Sequence, residues 1–271
     1  MTNNRTRDEF ERGIMLFAFD NEAVDYIELA SYCAKRIKQH LKVPVCIVTD
    51  NLKKAESFGV FDLYREINCF NNMPNLRNYT PEIVGQFNNH NRFWAQILSP
   101  FYETIVIDTD YMVCSDKLNV LWGCNKDFLI QTDSICVDGK SLNTKVSNST
   151  IQSTWATILY FKNTEDSRRL FRLVEYIAYS WDYFREQYKI DTHVYRNDFS
   201  FAIALQIING GIDDLSHYSI PMTMITSRDC DWLYEITDNS VTIDVNGKKI
   251  KVENEDVHVL HKQSLMDKLR K

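Results

Sequence analysis

The sequence predicts a mixed α/β fold: a Rossmann-like sheet flanked by helices, in a single domain over residues 1–271. Three observations predict it. Short apolar runs repeatedly end in acidic residues, a segment of helical period lies between the first two runs, and no linker, repeat or low-complexity tract interrupts the chain. With 44% hydrophobic and 25% charged residues the composition is that of a globular protein, and a chain this long can bury most of its surface without staples.

Ile14–Phe19 reads as a buried strand ending at Asp20-Asn21. Val24 to Leu41 has apolar residues at helical spacing, and Val43 to Asp50 is a second buried strand. This βαβ unit implies parallel pairing, with ligands at the carboxyl ends of the strands. Arg92 to Leu98 predicts a short helix stopped at Ser99-Pro100. Thr104-Ile105-Val106-Ile107 is the most β-prone run and ends in Asp108-Thr109-Asp110. Phe128–Gln131 predicts a strand ending at Thr132-Asp133. The polar stretch 138–153 predicts a mobile loop, Thr157–Phe161 a strand and Ser167–Gln187 one long helix. Asp198–Ile208 predicts a helix capped by Asn197 or Asp198. Residues 241–252 predict a hairpin about Asn246-Gly247, and Val257–Leu260 a last strand before a small basic helix. Residues 1–12 are expected to be flexible.

Other function classes recede. No run of about 18 apolar residues exists, so no membrane span is expected. The N-terminal residues carry Arg5, Arg7 and Arg12 with no apolar region behind them, unlike a secretory signal. The seven cysteines are scattered without a C-x-x-C pair, which predicts reduced thiols and a cytoplasmic protein. The net charge of −6 argues against non-specific coating of nucleic acid.

The chemistry concentrates at Asp108-Thr109-Asp110. Two carboxylates one residue apart at the end of a buried strand repel each other and lose solvation, and a hard divalent cation relieves both costs. Taken alone, the tripeptide reads rather as a solvated acidic turn at a strand end.

In context, Arg92–Leu98, Ile105–Val113 and Leu118–Leu121 together resemble the glycogenin-like retaining glycosyltransferases of the GT-A fold, with a texture similar to GT-A-like proteins of tailed bacteriophages. Phe17-Ala18-Phe19-Asp20 with Tyr26, Asn197-Asp198, and Val257–Lys262 fall in the order that family has. Where the family carries Asn-x-Gly, this chain has Thr154-Trp155-Ala156, and His261 stands where a glycine follows the metal histidine.

The resemblance implies a hexosyl- or pentosyltransferase that uses Mn²⁺ or Mg²⁺ and a nucleotide sugar, with UDP-sugar as the expected donor. Asp108 and Asp110 would hold the metal, with Asp108 also near the ribose beside Thr109. His258 would complete the set, with His261 as its rival. Alternation along Val257–His261 puts the two rings on opposite faces, so one of them faces the cation. Lys262 would meet the β-phosphate, and Arg92 the phosphates and sugar. Phe17, Ala18, Asp20, Tyr26 and Asp50 would line the nucleotide site. Asp198 would serve the sugar or acceptor side, with Asp133 a further acceptor-side candidate. The acceptor is open: glycan, protein, small molecule or a modified DNA base, the last in a host cytoplasm if the chain is phage-encoded. Two other readings stand beside this one. A Mg²⁺-dependent nucleotidyl or phosphoryl transferase should carry a glycine-rich phosphate loop, which this chain lacks. A non-catalytic sugar-binding protein on the same fold should not turn over a donor.

Overall fold

The computed structural model describes residues 10–68, 76–78, 84–86, 88–89 and 91–270. Residues 1–9 of the segment expected to be flexible, and Cys69, lie outside the described residues.

In chain order, β1 (Phe10–Phe17) leads into α1 (Tyr26–His40), β2 (Val45–Thr49), α2 (Leu52–Ser57) and β3 (Leu63–Glu66). A short antiparallel pair follows, β4 (Leu76–Asn78) and β5 (Val84–Gln86). A 3₁₀ turn, Asn91–Trp94, runs into α3 (Ala95–Leu98), β6 (Phe101–Ile107) and β7 (Tyr111–Met112). After a second 3₁₀ turn, Lys117–Leu121, come β8 (Phe128–Gln131), β9 (Ser134–Cys136) and β10 (Trp155–Lys162). Then follow α4 (Glu165–Tyr179), α5 (Trp181–Gln187), α6 (Asn197–Ile208), β11 (Met224–Thr226), β12 (Trp232–Ile236), β13 (Ser240–Val245), β14 (Lys248–Glu253), β15 (Val257–His258) and α7 (Lys262–Leu269).

Six strands form the main sheet in the order β3-β2-β1-β6-β10-β8. β1, β2, β3 and β6 pair in parallel, while β10 runs against both of its neighbours, which makes the sheet mixed. This is the architecture class the sequence predicts. The strands are buried on both faces, which is why they read as unbroken apolar runs. Along β1 the side chains divide between the two cores. Ile14 and Leu16 pack with α1, β13 and α7, whereas Met15 and Phe17 pack with α4 and α6. Gly13 lets β1 and β6 approach, since a Cβ there would come within 2.4 Å of the Phe101 ring.

Beside the carboxyl end of β6 lies a second sheet in the order β7-β15-β11-β9, built of very short strands. A third sheet, β12-β13-β14, is an antiparallel meander. Its predicted hairpin is present, with Asn246 and Gly247 at φ 52° and 84°, the left-handed pair a tight two-residue turn needs.

Four local expectations change. The long helix over 167–187 is two helices, with a break at Ser180. The last strand stops at His258, because the Val259 amide turns to the Asp110 carbonyl at 3.0 Å. The residue capping α6 is Arg196, and no side chain of its own closes the helix end. In the stretch 138–153, read from the sequence as a mobile loop, Val146 and Ile151 are buried and joined by a backbone hydrogen bond of 2.8 Å. The six described cysteines are all free thiols, and no described helix is long and apolar enough to cross a membrane.

Candidate active site

Strand β6 is the middle of the sheet, and its buried run ends at Ile107 because the next residues must turn. The Asp108 amide donates to the Thr157 carbonyl at 3.1 Å and the Tyr111 amide to the Asp108 carbonyl at 3.1 Å. This tight turn sets the Asp108 and Asp110 carboxylates side by side. β7 then pairs with β15, placing His258 opposite Tyr111. The His258 Nε2 lies 3.4 Å from Asp110 Oδ1 and 3.7 Å from Asp108 Oδ2. Its Nδ1 is 3.4 Å from the Thr226 hydroxyl, and the Trp155 ring stands edge-on to the imidazole. One ligand atom from each of Asp108, Asp110 and His258 falls within a 4.8 Å cluster.

Two cations close this cluster. Lys262 opens α7, where a positive charge opposes the helix dipole, yet its Nζ is buried 2.7 Å from Asp110 Oδ2. Arg92 projects from the Asn91–Trp94 turn, 3% exposed, and donates to the Asp108 carboxylate and to the Ala156 carbonyl. Burial lowers the Arg92 guanidinium to about 10, partly offset by Asp198 and Asp110, so it is charged at neutral pH. Burial alone would raise the Asp110 carboxyl, but Lys262 and His258 outweigh it and hold Asp110 well below the usual carboxylate range.

The group opens on a cleft of about 430 Å³. Asp198, in the first turn of α6, forms part of the wall. Its Oδ1 accepts from the Ala156 amide at 2.7 Å, and its Oδ2 pairs with Arg196 at 3.0 Å. Asp198 therefore ties α6 to the start of β10 rather than capping its own helix.

The structure brings Tyr26, Arg92, Asp108, Thr109, Asp110, Asp198, His258 and Lys262 to this one cleft. It does not bring the others. Phe17 and Ala18 are sealed in the sheet. Asp20 shares Lys54 with Asp25 at 2.7 Å each, and burial raises its carboxyl in spite of Lys54. Asp50 is exposed beyond β2. Asp133 is held by Asn143 at 2.7 Å and by Thr223. His261 caps α7, its Nδ1 accepting from the Ser264 amide at 3.1 Å, and its ring rests on Trp232. Among the other cleft walls, sequence reasoning named Trp155 and Asn197 only as family positions and passed over Tyr195, Asn89 and Asp229. Trp155, Tyr195, Asn197 and Asp229 line the cleft, as does Asn89, whose buried Oδ1 has no hydrogen-bond partner among the described residues. Asn197 was visible as a helix start, whereas nothing local marks Asn89 or Asp229.

No protein-family model matches the chain, and no curated protein matches it by sequence. Among solved structures it is similar to the galactosyltransferase LgtC in complex with donor and acceptor sugar analogues, at 14% identity and a TM-score of 0.47 over 71% of this chain and 69% of that one. An LgtC active-site mutant aligns at 16% identity and a TM-score of 0.46, with the same coverage. The glycosyltransferase GlyE of Streptococcus pneumoniae TIGR4 aligns at 11% identity and a TM-score of 0.36, over 79% of this chain and 46% of that one.

Proposed function

We propose that the protein is a metal-dependent glycosyltransferase of the GT-A type, using a nucleotide sugar with UDP as the favoured nucleotide. The observation that carries this reading is the Asp108–Asp110–His258 cluster, with Asp110 and His258 buried and Asp108 half-buried, flanked by Arg92 and Lys262, at the carboxyl end of the central strand and open to a cleft.

The donor set fits a divalent cation. Two carboxylates and one imidazole are the oxygen and nitrogen ligands that Mn²⁺ accepts. Charge supports the pairing with a diphosphate. The two carboxylates already face two buried cations, so a lone divalent ion would unbalance the site. A divalent ion together with the doubly negative diphosphate of a nucleotide sugar enters as a neutral pair. Bound there, the cation would offset the charge that grows on the departing diphosphate. Lys262 and Arg92 then stand ready to release their carboxylates in part and turn to phosphate oxygens. Asp198, fixed by Ala156 and Arg196, offers its remaining acceptor capacity to a sugar hydroxyl. Tyr26 offers a wall against which a base can lie.

The test is incubation with Mn²⁺ and a series of donors: UDP-glucose, UDP-galactose, UDP-N-acetylglucosamine, UDP-xylose and GDP-mannose. Slow release of free sugar and nucleoside diphosphate from one of them is expected. Release of pyrophosphate from UTP instead would favour nucleotidyl transfer. Failure of every donor to be cleaved or to raise the melting temperature would overturn the reading.

A further inference from the structure

The donor cleft continues past Trp155 into a second groove of about 330 Å³, and the two share Trp155, Arg196, Asp198, Phe199, Asp229 and Leu260 as a common wall. We infer that this groove is the acceptor site and that it takes an uncharged saccharide. The inference rests on the glycosyl-transfer reading above.

Position is the first argument. Trp155 lines both the cleft and the groove, and its ring stands perpendicular to the His258 imidazole with centroids 6.3 Å apart, so the groove begins beside the metal cluster. A hydroxyl presented from the groove reaches the donor sugar around Asp198. The hydroxyl oxygen bonds to the anomeric carbon as that carbon's bond to the diphosphate oxygen breaks. The electron pair stays on the diphosphate, and the hydroxyl proton is released to water.

Charge is the second. Two arginines border the groove, and each already faces a carboxylate: Arg196 meets Asp198 at 3.0 Å, and Arg228 meets Asp138 at 2.7 Å. Asp229 adds a further acid to the lining. A nucleic acid needs unanswered positive charge along its path, and the described residues of this groove offer none.

Surface chemistry is the third. Trp155 and Phe199 are half-buried, and the Arg196 guanidinium lies 5.3 Å over the Phe199 ring, which fixes the aromatic wall. The same groove is lined by Thr144 and Ser153, whose hydroxyls are 3.0 Å apart. Apolar ring faces together with hydroxyls match the apolar faces and polar rim of a sugar ring.

The experiment is saturation-transfer NMR with UDP and Mg²⁺ present. The probes are methyl glycosides of glucose, galactose, mannose and N-acetylglucosamine, with lactose and maltose beside them. A duplex carrying 5-hydroxymethylcytosine and free glucuronate serve as anionic probes. UDP resonances on the same sample report the donor cleft. The expected result is transfer to at least one neutral saccharide, with Thr144→Trp, at an exposed position, weakening that saccharide at least tenfold. Silent UDP resonances would remove the glycosyl-transfer reading and this inference with it. Visible UDP with no neutral saccharide bound, with binding untouched by Thr144→Trp, or with the anionic probes preferred, would overturn the inference alone.

Discussion

Replacing Lys262 by methionine removes one charge and little volume from the Asp110 pair. Lys262 Nζ and Asp110 Oδ2 are 2.7 Å apart with side chains 9% and 4% exposed, so water cannot take over the lost partner. Breaking a buried pair from one side costs about 3–5 kcal/mol. At about 2.1 cal/mol/K of unfolding entropy per residue, 271 residues give roughly 0.57 kcal/mol/K, so the melting temperature of the metal-free protein should fall by about 5–9 °C. The gap should depend on pH with a definite sign. Because the folded Asp110 carboxyl lies below its usual 3.8, its contribution is present above that value and is lost as the pH falls through the folded value. The wild type should therefore exceed the variant most near neutrality, and the two should converge on acidification. Mn²⁺ supplies the missing positive charge. At one hundred times its dissociation constant it adds about 2.7 kcal/mol, or about 5 °C on the same entropy, and it should stabilise the variant more than the wild type, in which Lys262 competes for Asp110. The assay is scanning calorimetry with EDTA or with Mn²⁺. A fall of under about 2 °C, or a variant indifferent to Mn²⁺, would refute the reasoning.

Four further outcomes follow from other contacts in the structure. His258→Ala should weaken Mn²⁺ binding by about 10- to 100-fold, measured by titration calorimetry. His261→Ala should leave that constant unchanged and lose only an α7 cap worth about 1 kcal/mol in urea unfolding. Asp198→Ala leaves the Ala156 amide without its acceptor, so it should cost about 1–3 kcal/mol and lower donor turnover; unchanged kinetics would return Asp198 to a purely structural role. Asp256 takes hydrogen bonds from the Cys114 and Ser115 amides and the Ser115 hydroxyl, yet burial outweighs them and raises its carboxyl above 3.8. A raised acid weakens the fold as the pH climbs from 3.8 through the folded value, so Asp256→Asn should gain on the wild type over that rise, and a pH-independent gap would contradict this.

What could be read in the chain was what lies close in sequence. The β1–α1–β2 unit and β6 announce themselves because both sheet faces are buried, which leaves continuous apolar runs. The acidic end of β6 is equally plain. The two- and three-residue strands β7, β9, β11 and β15 carry no period, since each exists only through pairing with partners far along the chain. That is why His258 entered through family resemblance rather than spacing: its place beside Asp110 comes from pairing across β7 and β15. The same gap misjudged the register after His258, where the chain leaves the strand and His261 becomes a helix cap. The helix over 167–187 was joined because Ser180 carries no proline or glycine to mark its break. Strand-end acids were over-read. Asp20 and Asp50 share residue type and position with Asp108, but only the chain's long-range folding decides which carboxylates meet a histidine and two buried cations.

The central claim is that Asp110 and its neighbours bind a nucleoside diphosphate through a divalent cation. Its most direct measurement is titration calorimetry of UDP into the wild type and into Asp110→Asn, each with Mn²⁺ and with EDTA. The account predicts binding in the wild type that is lost in EDTA, and none in the variant under either condition, while both proteins keep the same far-ultraviolet circular dichroism. UDP binding that is equal with and without Mn²⁺, or that survives intact in Asp110→Asn, would contradict it.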